Sequence, residues 1–591
     1  MPYKKSERWT VKTKKADFAA IGRRFGIDPV IARLIRNRDV ISEEEVEKYL
    51  HGSKDSLHDP ALLKGCLQAV GLLNEKIDGG KKIRIIGDYD IDGVCSTYIL
   101  YKGLLVCGAK VDYEIPDRMK DGFGLNRSLL ELAIEENTDT VITCDNGIAA
   151  VDEVRFAKEQ GLTVIVTDHH EPVYEETEEG RKYILPPADT IVNPKQPDCP
   201  YPYKKLCGAA VAWKVICQLH KDRGLGNEWP QKLMLYAGLA TVGDVMDLDG
   251  ENRILVKEAL KLMSRTQDFG ILALIKACAL DPRAISSYHI GFVLGPCINA
   301  SGRLDTAKRS LRLLLSENPD EADQIAGQLK ALNDERKDLT AKAFEQACQI
   351  IENSEILNDR VLVVFVPDCH ESIAGIVAGR IREKYYRPVF VITRGENSAK
   401  GSGRSIEAYS MFDEMLKCAD VFLKFGGHAQ AAGFSLEEER IGEMRRRLNE
   451  NCTLTAEELS EKISIDVPMP VDYITENLIS QLDLLEPFGK GNEKPLFAES
   501  GLRFFSARII GKNANAIRFR VMNKNGCNMT AFYFGNPELM REYMTEKYGQ
   551  REVDNLFAGR GSGLSMDIAY YPQVNEYMGN KSLQIIIKNF R

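Results

Sequence analysis

The chain has 591 residues, of which 44% are hydrophobic and 28% are charged, and its formal net charge is −8. This length exceeds what one hydrophobic core supports, so we expect two to four domains of ordinary globular composition. The negative charge excludes a uniformly basic surface. The sequence shows neither a signal-peptide pattern nor an uncharged apolar run of about 18 residues, which predicts a cytoplasmic protein without a membrane span. The fourteen cysteines include no C-x-x-C pair, which indicates reduced thiols and not a zinc or redox site.

Residues 1–75 form a charged, helix-patterned segment at the N-terminus. Ser42 followed by Glu45 has the spacing of a helix capping box. We interpret this segment as a helical lead-in to the first domain, which we place at residues 76–317.

Residues 76–317 alternate short apolar runs with helix-like patterns, which is typical of a parallel α/β sheet. The runs are KIRIIGDYD, AKVDYEIPDR, TDTVITCDNG, LTVIVTDHH and ADTIVNP. Ligands of such sheets bind beyond the carboxyl ends of the strands. Acidic and histidine residues follow three runs at that edge: Asp88, Asp90 and Asp92 after the first, Asp145 after the third, and Asp168, His169 and His170 after the fourth.

Three aspartates within five residues repel one another unless a cation lies between them. Taken alone, Asp145 has an alternative interpretation as a helix N-cap, and the pair His169 and His170 has one as incidental. Three successive strand ends of this kind favour a shared metal site. In GLATVGDVMDL, Asp244 follows an apolar helical stretch, where a buried carboxylate needs a partner; Asp247 is the rival, and we favour Asp244.

A long, highly charged helix is predicted over residues 318–352, with one apolar stripe and a wide polar face, as in a connector between two lobes. A coiled-coil dimer is the alternative. Residues 353–470 form a second α/β unit, with strands in RVLVVFVPDCH, YRPVFVITR and AKGSGRSI around the helix SIAGIVAGRIREKY. In FGGHAQAAGFS, Gly426 and Gly427 precede His428 and a predicted helix start, whose N–H groups suit a phosphate.

Residues 471–591 comprise a linker and five β runs, which predict a small barrel of the OB type. From residue 501 onward thirteen Lys and Arg outnumber seven Asp and Glu, a net charge of +6 against −14 for the rest. Aromatic residues interleave with arginines, namely Phe505, Phe519, Tyr533 and Tyr570 with Arg503, Arg508, Arg518 and Arg520. This mixture is typical of single-strand binding. The alternatives are that the rings form the barrel core and that the basic window arises by chance.

The motifs GDYDIDG, TCDNG, TDHH, GDVMDL, GPCINASGRLD, GSGRS and GGHAQAAGF occur in the order found in the RecJ family of bacterial single-stranded-DNA exonucleases, within the DHH phosphoesterase superfamily. The sequence resembles that family over most of its length. The resemblance implies a DHH domain with a parallel sheet, a connecting helix, a smaller α/β DHH-associated (DHHA1) domain and a C-terminal OB-type β-barrel.

The resemblance also implies two divalent cations, Mn²⁺ or Mg²⁺. Their ligands would be Asp88, Asp90, Asp92, Asp145, Asp168, His169, His170 and Asp244, with Asp88 left open as a direct ligand or a neighbour. Carboxylates with imidazole and no thiolate independently suit Mn²⁺. The implied reaction is hydrolysis of the first linkage from a 5′ end by an activated water, releasing a 5′ mononucleotide. Its catalytic residues would be Asp145, His169 and His428.

A 5′-phosphate and DNA site is implied at Arg118, Arg303, Ser402, Arg404, Gly426 and Gly427, and an OB-fold DNA surface at Arg503, Arg508, Arg518 and Arg520. Guanidinium groups bind phosphate oxygens bidentately, which suits arginine at the first site. The implied partners are single-stranded DNA with a 5′ end, a single-strand-binding protein and a repair helicase. We expect a monomer that acts in DNA repair and recombination.

The sequence departs from the family pattern at two places. Gly243 and Asp247 stand where Ala and Pro are frequent, and Glu371 and Ser372 stand where a Pro-Gly pair is frequent. Neither departure removes an implied ligand. The alternatives are an oligonucleotide or cyclic-dinucleotide phosphodiesterase of the same superfamily, whose members generally lack a terminal barrel, and a non-catalytic DNA-binding subunit, which would be expected to have lost ligands.

Overall fold

The computed structural model of the chain describes residues 5–117, 124–177, 180–511, 513–560, 563–577 and 579–591. These residues form two compact units. The first comprises residues 5 and 6 together with Ser53–Glu461, and the second comprises Glu7–Gly52 together with Lys462–Arg591. Among the helices of these described ranges, none combines the length and the apolar character needed to cross a membrane.

The first unit begins with a five-stranded parallel sheet, as the sequence predicts. Its strands lie in the order Lys110–Glu114, Lys82–Ile86, Thr140–Cys144, Thr163–Thr167 and Thr190–Val192. Every residue of Thr140–Cys144 is buried, because helices cover both faces of a parallel sheet. An exposed antiparallel hairpin, Val173–Thr177 with Gly180–Ile184, follows the fourth of these strands along the chain.

Helices surround this sheet and extend the lobe. They are Cys66–Asp78, Ile91–Val106, Arg127–Glu135, Val151–Glu159, Gly208–Asp222, Glu228–Gly243, Gly250–Met263, Phe269–Ala277, Ser287–His289, Gly295–Leu304 and Lys308–Leu315, with a π-helical turn at Ile290–Leu294. One hydrophobic core contains residues of strand Lys82–Ile86 and of the apolar helices Ile91–Val106, Gly208–Asp222 and Glu228–Gly243.

The predicted connector is confirmed as one helix, Pro319–Glu352. Asn318 caps it by accepting hydrogen bonds from the N–H groups of Asp320 and Glu321, and proline occupies the first turn, where no N–H is needed. Its first half contributes residues such as Leu329 to the core of the parallel-sheet lobe, and its second half packs in the core of the lobe that follows. The apolar stripe therefore joins two lobes within one unit.

The second lobe contains a five-stranded sheet in the order Lys424–His428, Ala431–Leu436, Ala399–Arg404, Val389–Arg394 and Leu362–Phe365. Its helices are Glu371–Tyr385, Met411–Leu416 and Ile441–Asn451. The predicted helix start after His428 is wrong, because that segment forms the strand Ala431–Leu436. Strand pairing places the Phe434 ring directly over Gly401, where a β-carbon would lie 2.1 Å from the ring. This packing between strands outweighs the helix propensity of Ala431 and Ala432.

The second unit contains the predicted OB-type sheet. Strands Phe497–Ile510, Ala516–Met522, Asn528–Tyr533, Asn580–Phe590 and Ser565–Tyr577 pair in that order, and the last pairs again with the first to close a ring. Helices Pro537–Tyr548 and Gln550–Phe557 lie between the third and fourth β runs along the chain, an insertion that the sequence analysis does not anticipate.

Residues from the N-terminal segment belong to the core of this second unit. The segment contains strand Glu7–Val11, paired with Glu461–Ile465, and helices Phe18–Phe25, Pro29–Asn37 and Glu43–His51. Glu476–Leu482 is a further helix of the unit. The Asn37 side-chain amide donates to the Asp466 carbonyl at 3.0 Å, and the Tyr49 hydroxyl lies 2.8 Å from Asn492 Oδ1. The predicted capping box at Ser42 is present, whereas the domain boundaries at residues 75, 317, 352 and 470 stay predictions.

Candidate metal centre and nucleic-acid sites

The first three aspartates lie in the loop and first helical turn that follow strand Lys82–Ile86. Asp90 caps the helix Ile91–Val106 and accepts hydrogen bonds from the N–H groups of Asp92 and Gly93 at 2.8 and 3.1 Å. The backbone of Gly93 approaches Asp88 so closely that a β-carbon on Gly93 would lie 2.4 Å from the Asp88 carbonyl oxygen. The glycine therefore allows the tight turn that gathers the three carboxylates.

Asp92 meets the start of a helix more than a hundred residues further along the chain. Its two carboxylate oxygens accept hydrogen bonds from the N–H groups of Gly208 and Ala209 at 2.6 and 2.7 Å. These N–H groups open the helix Gly208–Asp222, where the helix dipole favours a negative charge. Sequence analysis missed Gly208 and Ala209, because a pair of small residues at a helix start gives no local signal of a carboxylate partner.

Asp145 follows strand Thr140–Cys144 in a left-handed backbone conformation, with φ of 61°. Such a conformation is uncommon for a non-glycine residue and is concentrated at functional sites. The next helix begins at Val151 with Ala150 as its N-cap, so the alternative interpretation of Asp145 as a helix cap is wrong. The buried Asp145 side chain instead faces the neighbouring strand ends.

Asp168 uses its carboxylate on neighbouring groups. Oδ1 accepts from the N–H groups of His169 and His170 at 2.7 and 3.1 Å and lies 2.8 Å from His170 Nδ1, and Oδ2 accepts from the Ile148 N–H at 2.9 Å. Burial opposes the charge, but the hydrogen bond from His170 and the two imidazoles bring the pKa of Asp168 to about 2. Asp168 therefore orients the His170 ring, as carboxylates behind ligating histidines do.

The other seven predicted ligands converge. His169 Nε2 lies 3.1 Å from Asp145 Oδ1, 3.6 Å from Asp92 Oδ2 and 3.7 Å from Asp244 Oδ2. The residues fall into three groups whose ligand atoms lie within 4.8 Å of one another: Asp92, His169 and Asp244; Asp145, His169 and His170; and Asp88, Asp90 and Asp145. His169 and Asp145 each belong to two groups, so the cluster is continuous.

The electrostatics of the cluster fit divalent cations. Burial and then the charge of Asp90 raise the pKa of Asp88 to about 8, and burial together with the neighbouring aspartates raises the pKa of Asp145 well above its usual range. The buried Oδ1 atoms of Asp88 and Asp145 accept no hydrogen bond from the described residues. Buried carboxylate oxygens that accept no hydrogen bond are unfavourable unless a cation compensates them. Burial also lowers the pKa of His169, which favours the neutral imidazole that ligates metals.

Asp244 and its rival Asp247 have different environments. Asp244 ends the helix Glu228–Gly243 and joins the cluster. Asp247 lies 2.8 Å from Lys205 Nζ and belongs to none of the three groups. Val245, between them, has a φ of 56°, which is a genuine outlier for a β-branched residue and turns the chain directly after Asp244.

A separate cavity of about 310 Å³ contains the predicted phosphate-binding residues Arg303, Ser402 and Arg404. The Arg303 guanidinium donates to the Ser372 carbonyl at 2.8 Å, and that of Arg404 donates to Ser402 Oγ at 3.3 Å. Gly375 keeps space for the guanidinium, since a β-carbon there would lie 2.8 Å from an Arg404 nitrogen. The cavity thus presents two guanidinium groups from the two lobes of one unit.

Two charged residues of this cavity were not predicted as ligands. Lys400 Nζ and Glu371 Oε2 are 2.8 Å apart, and both residues line the cavity. Lys400 could have been found from its place next to the GSGRS motif. Glu371 is one of the departures from the family pattern, and the structure places this departure at the cavity.

The remaining predicted residues of the first unit lie apart from these groups. Gly426, Gly427 and His428 belong to the exposed strand Lys424–His428, and Gly426 pairs with Gly433, which lines the cavity. The structure does not include His428 in the cluster of seven ligands. Arg118 lies outside the described residues.

The OB-type sheet presents its predicted arginines to solvent. Arg503, Arg508, Arg518 and Arg520 are exposed, and Arg508 and Arg518 stand opposite each other on paired strands. Two predicted rings are core residues instead, because Phe519 and Tyr570 are fully buried, whereas Phe505 and Tyr533 are half-buried.

An aromatic pair at the end of one strand of this sheet was not predicted from the sequence. Phe532 stands opposite Arg518 on the neighbouring strand, and its ring stacks on that of Phe534 with centroids 6.0 Å apart. Phe534, which directly follows that strand, is 65% exposed, so an exposed ring lies next to a sheet that carries exposed arginines, as in single-strand binders.

Comparisons with known proteins agree with these three parts. The chain matches the models of the DHH family N-terminal domain at residues 82–243, the DHHA1 domain at residues 358–453 and the RecJ OB domain at residues 465–589. It is 33% identical to the single-stranded-DNA-specific exonuclease RecJ of Bacillus subtilis (strain 168), over 98% of this chain and 70% of that protein. It is 32% identical to the RecJ of Escherichia coli (strain K12), over 95% and 96%.

A solved structure agrees as well. The crystal structure of RecJ in complex with Mn²⁺ from Thermus thermophilus superimposes with a TM-score of 0.81 at 27% identity, covering 99% of this chain and 80% of that one. The chain therefore belongs to the RecJ family of single-stranded-DNA-specific exonucleases.

Proposed function

We propose that this protein hydrolyses single-stranded DNA from its 5′ end and releases 5′ mononucleotides, with two divalent cations, Mn²⁺ or Mg²⁺, as cofactors. The observation that carries the proposal is the convergence of seven donors, of which four are buried, namely Asp88, Asp92, Asp145 and His169, and three are partly exposed, namely Asp90, His170 and Asp244. Such a set of oxygen and imidazole donors matches Mn²⁺ and Mg²⁺ better than soft metals.

The residues that would hold the cations form three groups linked by Asp145 and His169, each of which belongs to two of the groups. The bound cations supply a nucleophile from water and stabilise the charge that develops on the phosphoryl and leaving oxygens. Asp168 holds the His170 ring in place through its hydrogen bond to Nδ1. His428 is proposed to approach the scissile phosphate and to donate a proton or hydrogen bond to it.

The polarity of the reaction is attributed to the cavity of Arg303, Ser402 and Arg404. A terminal phosphate carries more charge than an internal linkage, and guanidinium groups bind it bidentately. A 5′ end held there would present the first linkage to the cluster. The exposed arginines of the OB-type sheet would bind the rest of the strand, because phosphate contacts depend on local and not on net charge.

The proposal includes a cellular role. We propose that the protein acts on cytoplasmic DNA during repair and recombination, together with a single-strand-binding protein and a helicase that expose the single strand. This part rests on the family alone.

The test compares Asp244→Asn with Asp247→Asn, two equivalent changes three residues apart. On 5′-labelled single-stranded DNA with Mn²⁺, the wild type should release labelled mononucleotide from the start. Asp244→Asn should lose at least about 100-fold in rate, because it removes a donor from the cluster, whereas Asp247→Asn should keep most activity. Equal rates in the two variants, or stepwise shortening of the strand with the 5′ label still attached, would contradict the proposal.

A further inference from the structure

An exposed pair of stacked aromatic side chains lies in the first lobe, away from the arginine cavity. Tyr288 and Phe292 are 62% and 67% exposed, and their rings stack with centroids 5.0 Å apart and planes 28° apart. With Val245, 61% exposed, they make up three of the five most exposed large hydrophobic residues of the described chain. Two exposed rings in contact with each other mark a contact site more often than scattered apolar side chains do.

The aromatic pair adjoins the candidate metal centre. A β-carbon at Gly291, between the two rings in sequence, would lie 3.6 Å from Val242 Cγ1, in the last turn of the helix that ends at Asp244. The side chain of Ile91, which lies between Asp90 and Asp92 in sequence, packs against two glycines near this contact. β-Carbons at Gly243 and Gly295 would lie 2.6 and 3.4 Å from it. The exposed Val245 directly follows Asp244.

The backbone that carries the pair is anchored. Ile290 and Leu294, which bracket the π-helical turn, are 0% and 2% exposed. The Ser286 N–H donates to His289 Nδ1 at 3.1 Å, which fixes the start of the segment. A π-helical turn in place of an α-helix is frequent at functional sites. The two rings are therefore presented to solvent from a fixed support, which favours binding because little order is lost.

The same chain segment leads directly into the 5′-end cavity. The helix Gly295–Leu304 begins where the π-helical turn ends and carries Arg303. A strand whose 5′ phosphate lies in that cavity and whose first linkage lies at the cluster can continue along the surface around Asp244. Its unpaired bases offer flat apolar faces, and base stacking on aromatic side chains tolerates any sequence.

We propose that Tyr288 and Phe292 form a stacking site for nucleobases on the 3′ side of the linkage that is cut. This inference rests on the proposed function and adds a binding site to it. A paired base is already stacked in its duplex and cannot use the site, so the aromatic pair adds to the preference for single strands.

The first test uses fluorescence in an Asp145→Asn background, where DNA is bound but not cut. Short 5′-phosphorylated oligonucleotides carry 2-aminopurine at one position each, and stacking quenches its emission. We expect quenching at one or two positions beyond the first linkage, and its loss in Tyr288→Ala/Phe292→Ala. Retained quenching in the double variant would overturn the proposal.

The second test uses turnover with all ligands intact. Tyr288→Ala/Phe292→Ala should lower kcat/KM for long single-stranded DNA by about 10- to 100-fold, mainly through KM, the size expected for one or two lost stacking contacts. A 5′-phosphorylated dinucleotide whose second nucleoside is abasic offers no base to the pair on the 3′ side of its linkage, so its hydrolysis should be unchanged. Tyr288→Phe/Phe292→Tyr should restore the rate on long DNA, and the equally exposed Leu423→Ala, in the second lobe, should leave it unchanged.

The outcomes separate this inference from the proposed function. Equal losses on the dinucleotide and on long DNA would show that the pair supports the metal centre, and would overturn the stacking site. No loss on either substrate would also overturn it and leave the pair as a surface for a protein. If the wild type cuts no DNA, the proposed function fails, whereas the fluorescence test still reports whether bases stack on the two rings.

Discussion

Replacement of Gly208 by alanine tests the architecture of the cluster without removing any ligand. A β-carbon at Gly208 would lie 2.7 Å from Asp145 Cβ and 2.9 Å from Asp145 Cα. Non-bonded carbon atoms normally approach to about 3.5–4.0 Å, so the two elements must separate by about 1 Å. The Gly208 N–H also donates to Asp92 at 2.6 Å. Movement of Asp145 displaces one predicted ligand directly, and movement of the helix start displaces Asp92, so either response moves a ligand.

The expected magnitudes follow from this overlap. Added volume in a packed site lowers the free energy of unfolding by about 1–3 kcal/mol. Metal sites tolerate displacements of about 0.2 Å, and loss of a supporting contact reduces metal affinity by about 10- to 100-fold. We therefore expect Gly208→Ala to bind Mn²⁺ at least about tenfold more weakly by calorimetric titration, and to cut single-stranded DNA correspondingly more slowly at limiting Mn²⁺.

The matched control is Gly71→Ala in the helix Cys66–Asp78. A β-carbon there meets nothing within 4 Å, so the change should raise the stability by about 0.5–1 kcal/mol through helix propensity and leave Mn²⁺ binding unchanged. If Gly208→Ala keeps the Mn²⁺ affinity and the rate of the wild type, the close approach of Asp145 and the helix start does not determine the metal site.

Two further predictions concern charged pairs. Glu371→Gln should raise the preference for 5′-phosphate over 5′-hydroxyl ends, measured as a ratio of kcat/KM, by about fivefold. The change removes a carboxylate from the cavity and releases Lys400, which favours binding of a dianion by about 1 kcal/mol at a solvated site. An unchanged ratio would mean that the terminal phosphate binds elsewhere. Glu251→Gln should destabilise the first unit by about 3–5 kcal/mol, because Lys214, 1% exposed and 2.9 Å from Glu251, loses its only described ion-pair partner in the interior, although it keeps its hydrogen bond to the His58 carbonyl. Its unfolding midpoint in urea should fall accordingly, and a midpoint equal to that of the wild type would contradict this account.

The convergence of the predicted ligands was accessible from the sequence because of sheet topology. Strands of a parallel sheet that are separated in sequence end at one edge, so residues that directly follow Ile86, Cys144 and Thr167 must be neighbours. The apolar runs mark the strand ends to within a residue or two. The position of Asp145 and of the histidine pair at one site therefore needed no knowledge of side-chain packing.

The roles of individual residues depended on directions that no pattern encodes. Asp168 directs its oxygens to backbone N–H groups and to the His170 ring and belongs to none of the three ligand groups, although its spacing resembles that of the other aspartates. The alternation of residues along its strand does not say whether the face that carries Phe519 is buried or exposed. Only the closure of the sheet into a ring places Phe519 in the core. Membership of residues 7–52 in the second unit rests on contacts across more than four hundred residues, which local propensity cannot anticipate.

The distribution of hydrogen bonds within the cluster indicates which charges are left for cations. Asp92 is compensated by the N–H groups of Gly208 and Ala209, and Asp168 by His170 and by backbone N–H groups. Asp88 and Asp145, although buried, each retain an oxygen that accepts no hydrogen bond from the described residues. A fold selected only for stability would compensate all of these carboxylates or replace them. Uncompensated oxygens beside compensated ones therefore indicate a place for a positive ligand, and Asp145, at the overlap of two groups, is where two cations would share a donor.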